Sequence, residues 1–323
     1  MNINIGRSIV GAALSLVLCA NAAFAQSYPN RPVRLILPYN PGGIVDYVGR
    51  ALGQHLGEAL GTTVVPENRP GAGGILGTEV TARAQPDGYT LLLMDNAIVI
   101  NPSLQEHVPY DFFKQLDAVS WVSSSPLLLV VTPALNVKTI DAFIAYAKAN
   151  PGKLNFATAG IGTAPHLAAE LFKRHTGIEA THVPYKGIGA SYIDLMSNKI
   201  QFSFSSIAGA IGFTRDNRVL ALASTGETRS ELYPDTPTMT EAGLDFSVDL
   251  WLGLFAPAGM PDDVKAKLSK AVQSVAAKPE FKAALATVGV TPRGTPPAEA
   301  AAFVKTEYEK WKHVIVEGKI RIE

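Results

Sequence analysis

Val33-Arg34-Leu35-Ile36-Leu37-Pro38-Tyr39-Asn40-Pro41-Gly42-Gly43-Ile44-Val45-Asp46 runs from an apolar segment through a proline- and glycine-bounded turn into a helical pattern. Val33 to Leu37 reads as a strand. From Asp46 to Leu60 the apolar residues Val48, Leu52, Leu56 and Leu60 recur at helical spacing. Working outward, the same grammar repeats. Val64-Val65 is a short strand, Ile75 to Ala84 a short helix, and Leu91 to Met94 a buried strand after the Asp87-Gly88 turn. Later, Leu127–Val131, Leu154–Ala157, Thr181–Val183, Phe202–Ser205 and Val219–Ala223 read as strands. Helices are expected at Thr139–Ala149, Ala164–His175 and Ala190–Ser197. The last block holds a strand at Trp251–Ala256 and helices near Asp262–Ala277 and Pro297–Val316. Apolar strands alternating with helices predict an α/β fold with a mostly parallel sheet covered on both faces. Two modules are expected, crossing on structured segments near Ser123–Leu128 and Val248–Leu254, because no flexible linker separates them.

Three glycine-rich turns sit between a strand and a helix: Pro41–Asp46, Arg69–Gly74 and Ala159–Thr163. Open α/β sheets bind ligands at the carboxyl ends of their strands. Helix starts there expose unpaired N–H groups and a partial positive charge. Each turn is therefore a candidate anion site that needs no lysine or arginine. Each is also compatible with an ordinary strand-to-helix connection. Nucleotide motifs fail on spacing. The third glycine of G-x-G-x-x-G would fall on Leu76 or on Pro165, and no G-x-x-x-x-G-K-[ST] occurs.

The chain has 323 residues, with 28 basic against 28 acidic side chains and 47% hydrophobic residues. That balance excludes a disordered chain and argues against a nucleic-acid binder. Arg7, the apolar run Ile9–Leu18 and Ala23-Phe24-Ala25 form a secretory leader pattern, so residues 1–25 are expected to be a cleaved signal peptide. The apolar run is about half the ~20 residues that span a bilayer. The single cysteine, Cys19, falls inside this leader. The expected product is soluble, exported and free of disulfides.

Together the motifs resemble the extracytoplasmic solute receptors of tripartite tricarboxylate transporters, the Bug receptors. The matching stretches are Pro38–Gly43 with Asp46 and Arg50, Glu67–Gly74, Asp87–Leu91, Gly160–Thr163 with His166-Leu167, and Val183–Gly187. Pro234–Thr238 with Glu241–Gly243, and Trp251–Leu254 with Ala256-Pro257, complete the set. The resemblance implies a two-lobe periplasmic binding protein of type II-like fold. Each lobe would be a mostly parallel sheet flanked by helices, with two crossing strands as hinge. Lobe 1 would comprise residues 26–125 plus 252–323, and lobe 2 residues 126–251. It further implies a monomer that holds a small carboxylate between the lobes and delivers it to membrane transporter subunits. No cofactor, metal or nucleic acid is implied.

Carried onto this chain, Gly42, Gly43 and Gly73 would line one wall, and Gly160, Gly162 and Thr163 the other. Asp46 would cap the first helix. Tyr39, Phe204 and Trp251 are candidate stacking surfaces or core residues. His166 faces either the cleft or the interior. Arg50 and Arg69 either meet a carboxylate or brace loops. The chain departs from the family pattern at Ile44 and Val45, where related receptors commonly carry Ser, Thr or Pro and then Thr or Asn. If both face the cleft, they favour an apolar-bodied ligand such as terephthalate over citrate or aspartate, because buried polar groups left unpaired cost about 1–3 kcal/mol each. If they face the core, that argument lapses. An aliphatic dicarboxylate, acting in signalling, is the alternative ligand. A secreted hydrolase is the alternative class. Against it stand the lack of a G-x-S-x-G elbow and of an H-x-x-x-H pair among the six histidines.

Overall fold

The computed structural model describes residues 28–318 and 320, so the expected leader lies outside the described residues. Strand β1 (Val33–Leu37) is buried except at Arg34, which pairs with Glu67 on the neighbouring strand. β1 runs parallel to β2 (Val64–Asn68) on one side and to β3 (Thr90–Asp95) on the other. Helix α1 (Ile44–Leu60) connects β1 to β2, and α2 (Ile75–Ala82) connects β2 to β3. Val48, Leu52 and Leu56 of α1 are fully buried, as their spacing predicts. Burying one such side chain is worth about 1.5–3 kcal/mol. After β3 comes α3 (Ala97–Leu104), which carries Pro102 and is missed by the periodicity reading.

Strand β4 (Leu116–Val131) is far longer than its sequence suggests. Its first part belongs to the first sheet and its last part to a second sheet. The second sheet holds β5 (Leu154–Thr158) between β6 (Ala180–Pro184) and β7 (Phe202–Ser206), both parallel to it. β7 and β8 (Leu220–Ser224) pair with β4 antiparallel. Helices α4 (Ile140–Ala149), α5 (Ala164–Thr176) and α6 (Ile207–Thr214) serve this half. The chain then returns to the first sheet as β9 (Asp249–Pro257), antiparallel between β3 and β4. Helix α7 (Asp262–Ala277) and the long α8 (Pro297–Gly318) complete that half. The result is the expected α/β fold, with parallel neighbours in each half and antiparallel strands joining them.

The pairings change sheets within β4 between Pro126 and Leu127, and again before Asp249. We place the lobe boundaries at those two points. Thr225 ties the crossings together. Its hydroxyl accepts the Leu127 amide at 2.9 Å and donates to the Val248 carbonyl at 2.5 Å, while its backbone bonds both residues as well. The buried hydroxyl thus joins the outgoing and returning chains at one spot.

Helix α8 braces the first lobe from outside. Phe303 stacks on Trp121 of β4 with ring centroids 3.9 Å apart. Glu307 accepts the indole N–H of Trp251 at 2.8 Å and of Trp311 at 3.0 Å. Trp251, a candidate stacking surface in the sequence, is thereby a core residue that orients β9.

Candidate ligand-binding cleft

Loops at the carboxyl ends of β1, β2 and β3 face those of β5, β6 and β7 across the gap between the lobes. They enclose a cavity of about 30 Å³. Tyr39, Asn40, Gly43, Ile44, Val45, Asp46 and Asp95 line it from the first lobe. Ala159, Pro165, Gly187, Ile188 and Ser206 line it from the second, with Leu250 at the hinge side. A water needs about 10–15 Å³ on this measure, so the lobes stand too close for a dicarboxylate to enter without parting.

Backbone meets backbone where the lobes touch. The Asn40 amide donates to the Lys186 carbonyl at 2.8 Å. Gly73 (φ +59°) lies directly against the Ile161 carbonyl, where a Cβ would collide. A Cβ on Gly160 would fall 3.0 Å from the Cα of Gly73. Gly162 lies against the Asn101 side chain, whose Nδ2 donates to the Gly73 carbonyl at 3.2 Å. Several of the turn glycines therefore permit the lobes to close, in addition to any role in approaching a ligand.

The amides divide unequally. Helix α1 begins at Ile44 after Gly43, with no side chain capping it. The Ile44, Val45 and Asp46 amides thus point out of the helix start without intrahelical partners. The third turn is different. Its Gly160 amide donates to Thr158 Oγ1 at 3.1 Å, and its Gly162 amide to His166 Nδ1 at 3.3 Å. Thr163 Oγ1 donates to the Gly160 carbonyl at 2.7 Å. Pro165 removes one further donor from α5. Ser206 caps α6 by accepting from Gly209 at 3.2 Å. The starts of α1 and α2 are both uncapped by a side chain, but of the two only the α1 start lines the cavity.

Asp46 is not the helix cap. The helix starts two residues earlier than the periodicity suggests, so Asp46 occupies its first turn and reaches back to the Gly42 amide at 3.3 Å. Its Oδ1 accepts from Arg50 at 3.0 Å and from Asn68 at 3.1 Å. Burial opposes ionisation of Asp46, but these hydrogen bonds outweigh it and hold the carboxyl below its usual range. Arg50 thus braces the turn and neutralises a charge in the first turn of α1. Arg69 likewise braces, donating to Glu67 at 2.6 Å.

Ile44 and Val45 are both nearly buried and both line the cavity. Their β-branched side chains give the α1 end of the space an apolar floor. Tyr39 also lines it, with its hydroxyl on Asp95 at 2.9 Å. Phe204 does not. It is fully buried in the second lobe, 5.8 Å from the ring of Phe172, because β7 turns that face toward α5. His166 is also turned inward, stacked on His182 at 4.5 Å. Burial and the Lys173 charge lower its pKa to about 4, which suits a neutral ring accepting the Gly162 amide.

The sequence reading missed Asn40, Asp95, Pro165, Gly187, Ile188, Ser206 and Leu250. Three of these carried a signal. Gly187-Ile188-Gly189 is a fourth glycine turn after a strand, and Ser206 ends a strand as a helix cap. Asp95 had none, since a single acid at a strand end predicts nothing by itself.

Two α/β lobes, two crossings and a cleft at the strand ends define a periplasmic binding protein, a receptor fold and not an enzyme. Residues 48–320 match the model of the "Tripartite tricarboxylate transporter family receptor". The chain belongs to this family. Solved structures agree. The chain is similar to the periplasmic binding protein BugD, at 32% identity and TM-score 0.88, covering 92% of this chain and 100% of that one. A second is R. palustris Rpa4515 with adipate, at 28% identity and TM-score 0.88, covering 91% and 99%. A third is MatC from Rhodopseudomonas palustris with bound malate, at 30% identity and TM-score 0.84, covering 89% and 100%.

Proposed function

We propose that this chain is a periplasmic receptor that closes on a small carboxylate with an apolar body and passes it to a tripartite membrane transporter. The best-fitting ligand is an aromatic dicarboxylate such as terephthalate. The observation that supports this reading is the start of α1, uncapped by any side chain, at a cavity lined by Ile44 and Val45. One carboxylate sits on those amides, where the helix end favours negative charge. The ring or chain then lies among Ile44, Val45, Pro165 and Ile188, gaining about 25 cal/mol per Å² of apolar surface covered. A ligand touching both walls favours the closed arrangement. Names among the similar structures support an aliphatic dicarboxylate as the second reading, since those proteins are described with adipate and malate.

The test is a thermal-shift screen of carboxylates on the chain from Gln26 onward. Ligand at about 100 times Kd adds about 2.7 kcal/mol. That raises the melting temperature by roughly a few degrees for a protein of this size. Terephthalate and adipate are expected to produce the shift. Citrate or aspartate shifting the transition while both of these leave it unmoved would contradict the role given to Ile44 and Val45.

A further inference from the structure

Asp95 presents an anionic ligand with a difficulty. It stands at the end of β3, 3% exposed, on the cavity wall. Tyr39 Oη and the Ala97 amide donate to it at 2.9 and 3.0 Å, and both bonds fall on Oδ1. No lysine or arginine lines the cavity. Hydrogen bonds from Ala97, Tyr39 and its own amide favour the charged form, but they do not outweigh burial. Tyr39 holds its proton far above the usual range because of its burial and the nearby Asp95. Burial likewise raises Tyr110, to about 12. Asp46 lies in the same cavity, already satisfied by Arg50, Asn68 and Gly42. Across from Asp95, β9 presents Leu252 in register and Leu250 in the lining. The second lobe's lining residues include no titratable group, and His166 behind them suits a neutral ring. Burial accordingly pushes the Asp95 carboxyl up to about 6.

This inference rests on the carboxylate reading above. We propose that Asp95 is a ligand contact that is protonated in the loaded receptor and donates that proton in a hydrogen bond to a ligand carboxylate oxygen. The proton comes from solvent, so capture of a dianion takes up one proton. Two carboxylates facing each other in a dry site do not both stay ionised. A shared proton converts that repulsion into a short, charge-assisted O–H···O bond. The cleft then has two unlike seats. The α1 start takes one carboxylate as an anion, and Asp95 takes the other by sharing a proton. A monocarboxylate fills the first seat and leaves the second unused.

Asp95→Asn separates the possibilities, because the amide keeps an acceptor for Tyr39 and Ala97 and adds a permanent donor. Terephthalate, adipate and malate are titrated calorimetrically into both proteins from about pH 6.5 to about pH 8.5, in buffers of different ionisation enthalpy. Wild-type protein is expected to take up close to one proton per ligand, with affinity falling about tenfold per pH unit toward the alkaline end. Asp95→Asn is expected to take up none, to show flat affinity, and to bind more tightly than wild type near pH 8. Binding without proton uptake overturns this proposal alone. So does a variant that loses tenfold or more in affinity across the range, which would make Asp95 an ionised acceptor. Failure of all three probes to bind overturns the carboxylate reading together with this one.

A ligand-free arm checks the acid itself. The folded protein holds the Asp95 proton to higher pH than the unfolded chain does. Wild type therefore loses stability as pH rises from about 4 through about 6, and Asp95→Asn lacks that loss. A melting-temperature difference between the two proteins that stays constant across that window overturns the proposal.

Discussion

Replacing Gly73 with alanine is expected to weaken carboxylate binding by about 100-fold or more, or about 2.7 kcal/mol, while leaving each lobe folded. The atoms a Cβ would strike at Gly73 belong to Ile161, on the opposite lobe. Within the first lobe the cost is that of a left-handed non-glycine residue, about 1 kcal/mol. Closure does not accommodate the methyl group. The lobes must stand apart, which costs the Asn40–Lys186 hydrogen bond and the contact of Gly160 with Gly73. A ligand that needs both walls then binds a state that is rarely populated, and its apparent affinity falls by that fraction. Calorimetric titration with the carboxylate found by the thermal screen reads the loss. The melting temperature of the ligand-free variant reads the fold. Affinity within about threefold of wild type would show that the ligand is held without this contact.

The largest effect on stability is expected at Glu307. Its carboxylate accepts two indole N–H groups, from Trp251 and Trp311, both about 1% exposed. Glu307→Leu leaves both donors without their acceptor in a dry environment. Unsatisfied buried groups cost about 1–3 kcal/mol each. The variant should lose about 3 kcal/mol and melt roughly 5–10 °C lower. Glu307→Gln keeps an acceptor oxygen and is expected to lose about 1 kcal/mol. Scanning calorimetry of both variants makes the comparison. A leucine variant that melts within about 1 °C of wild type would mean that the two indoles find other partners.

The parallel-sheet grammar was legible because β1, β3 and β5 are buried apolar runs bounded by glycine turns. Strand β4 was legible only at Leu127–Val131. Its first part carries Ser120, Ser123, Ser124 and Ser125, of which the sequence marked only Ser123 onward, as a structured crossing and not as part of a long strand. They are buried because the strand lies in the sheet that joins the lobes. Helix α3 escaped because Asn101 and Pro102 interrupt its pattern, while packing against α8 holds it. In the cleft, glycine placement singled out the turn between β1 and α1, which lines the cavity. Sequence could not decide whether Ile44 and Val45 faced the cavity or the core. They sit in the first helical turn, where the same residue borders both. Nor could it apportion the amides. Whether Gly162 offers its N–H to a ligand depends on His166 Nδ1 lying 3.3 Å away, a fact of rotamer and packing. Asp95 acquires its importance only from what surrounds it, namely a tyrosine, an amide and the absence of any cation in the cavity wall.

The account's central claim is that a carboxylate is captured by closure of two lobes. Small-angle X-ray scattering of the chain from Gln26 onward, with and without saturating terephthalate, tests it most directly. The expected result is a smaller radius of gyration with terephthalate and a lesser change with benzoate, which has one carboxylate and reaches one seat. Equal compaction by both acids, or none with terephthalate when calorimetry shows it bound, would contradict the claim.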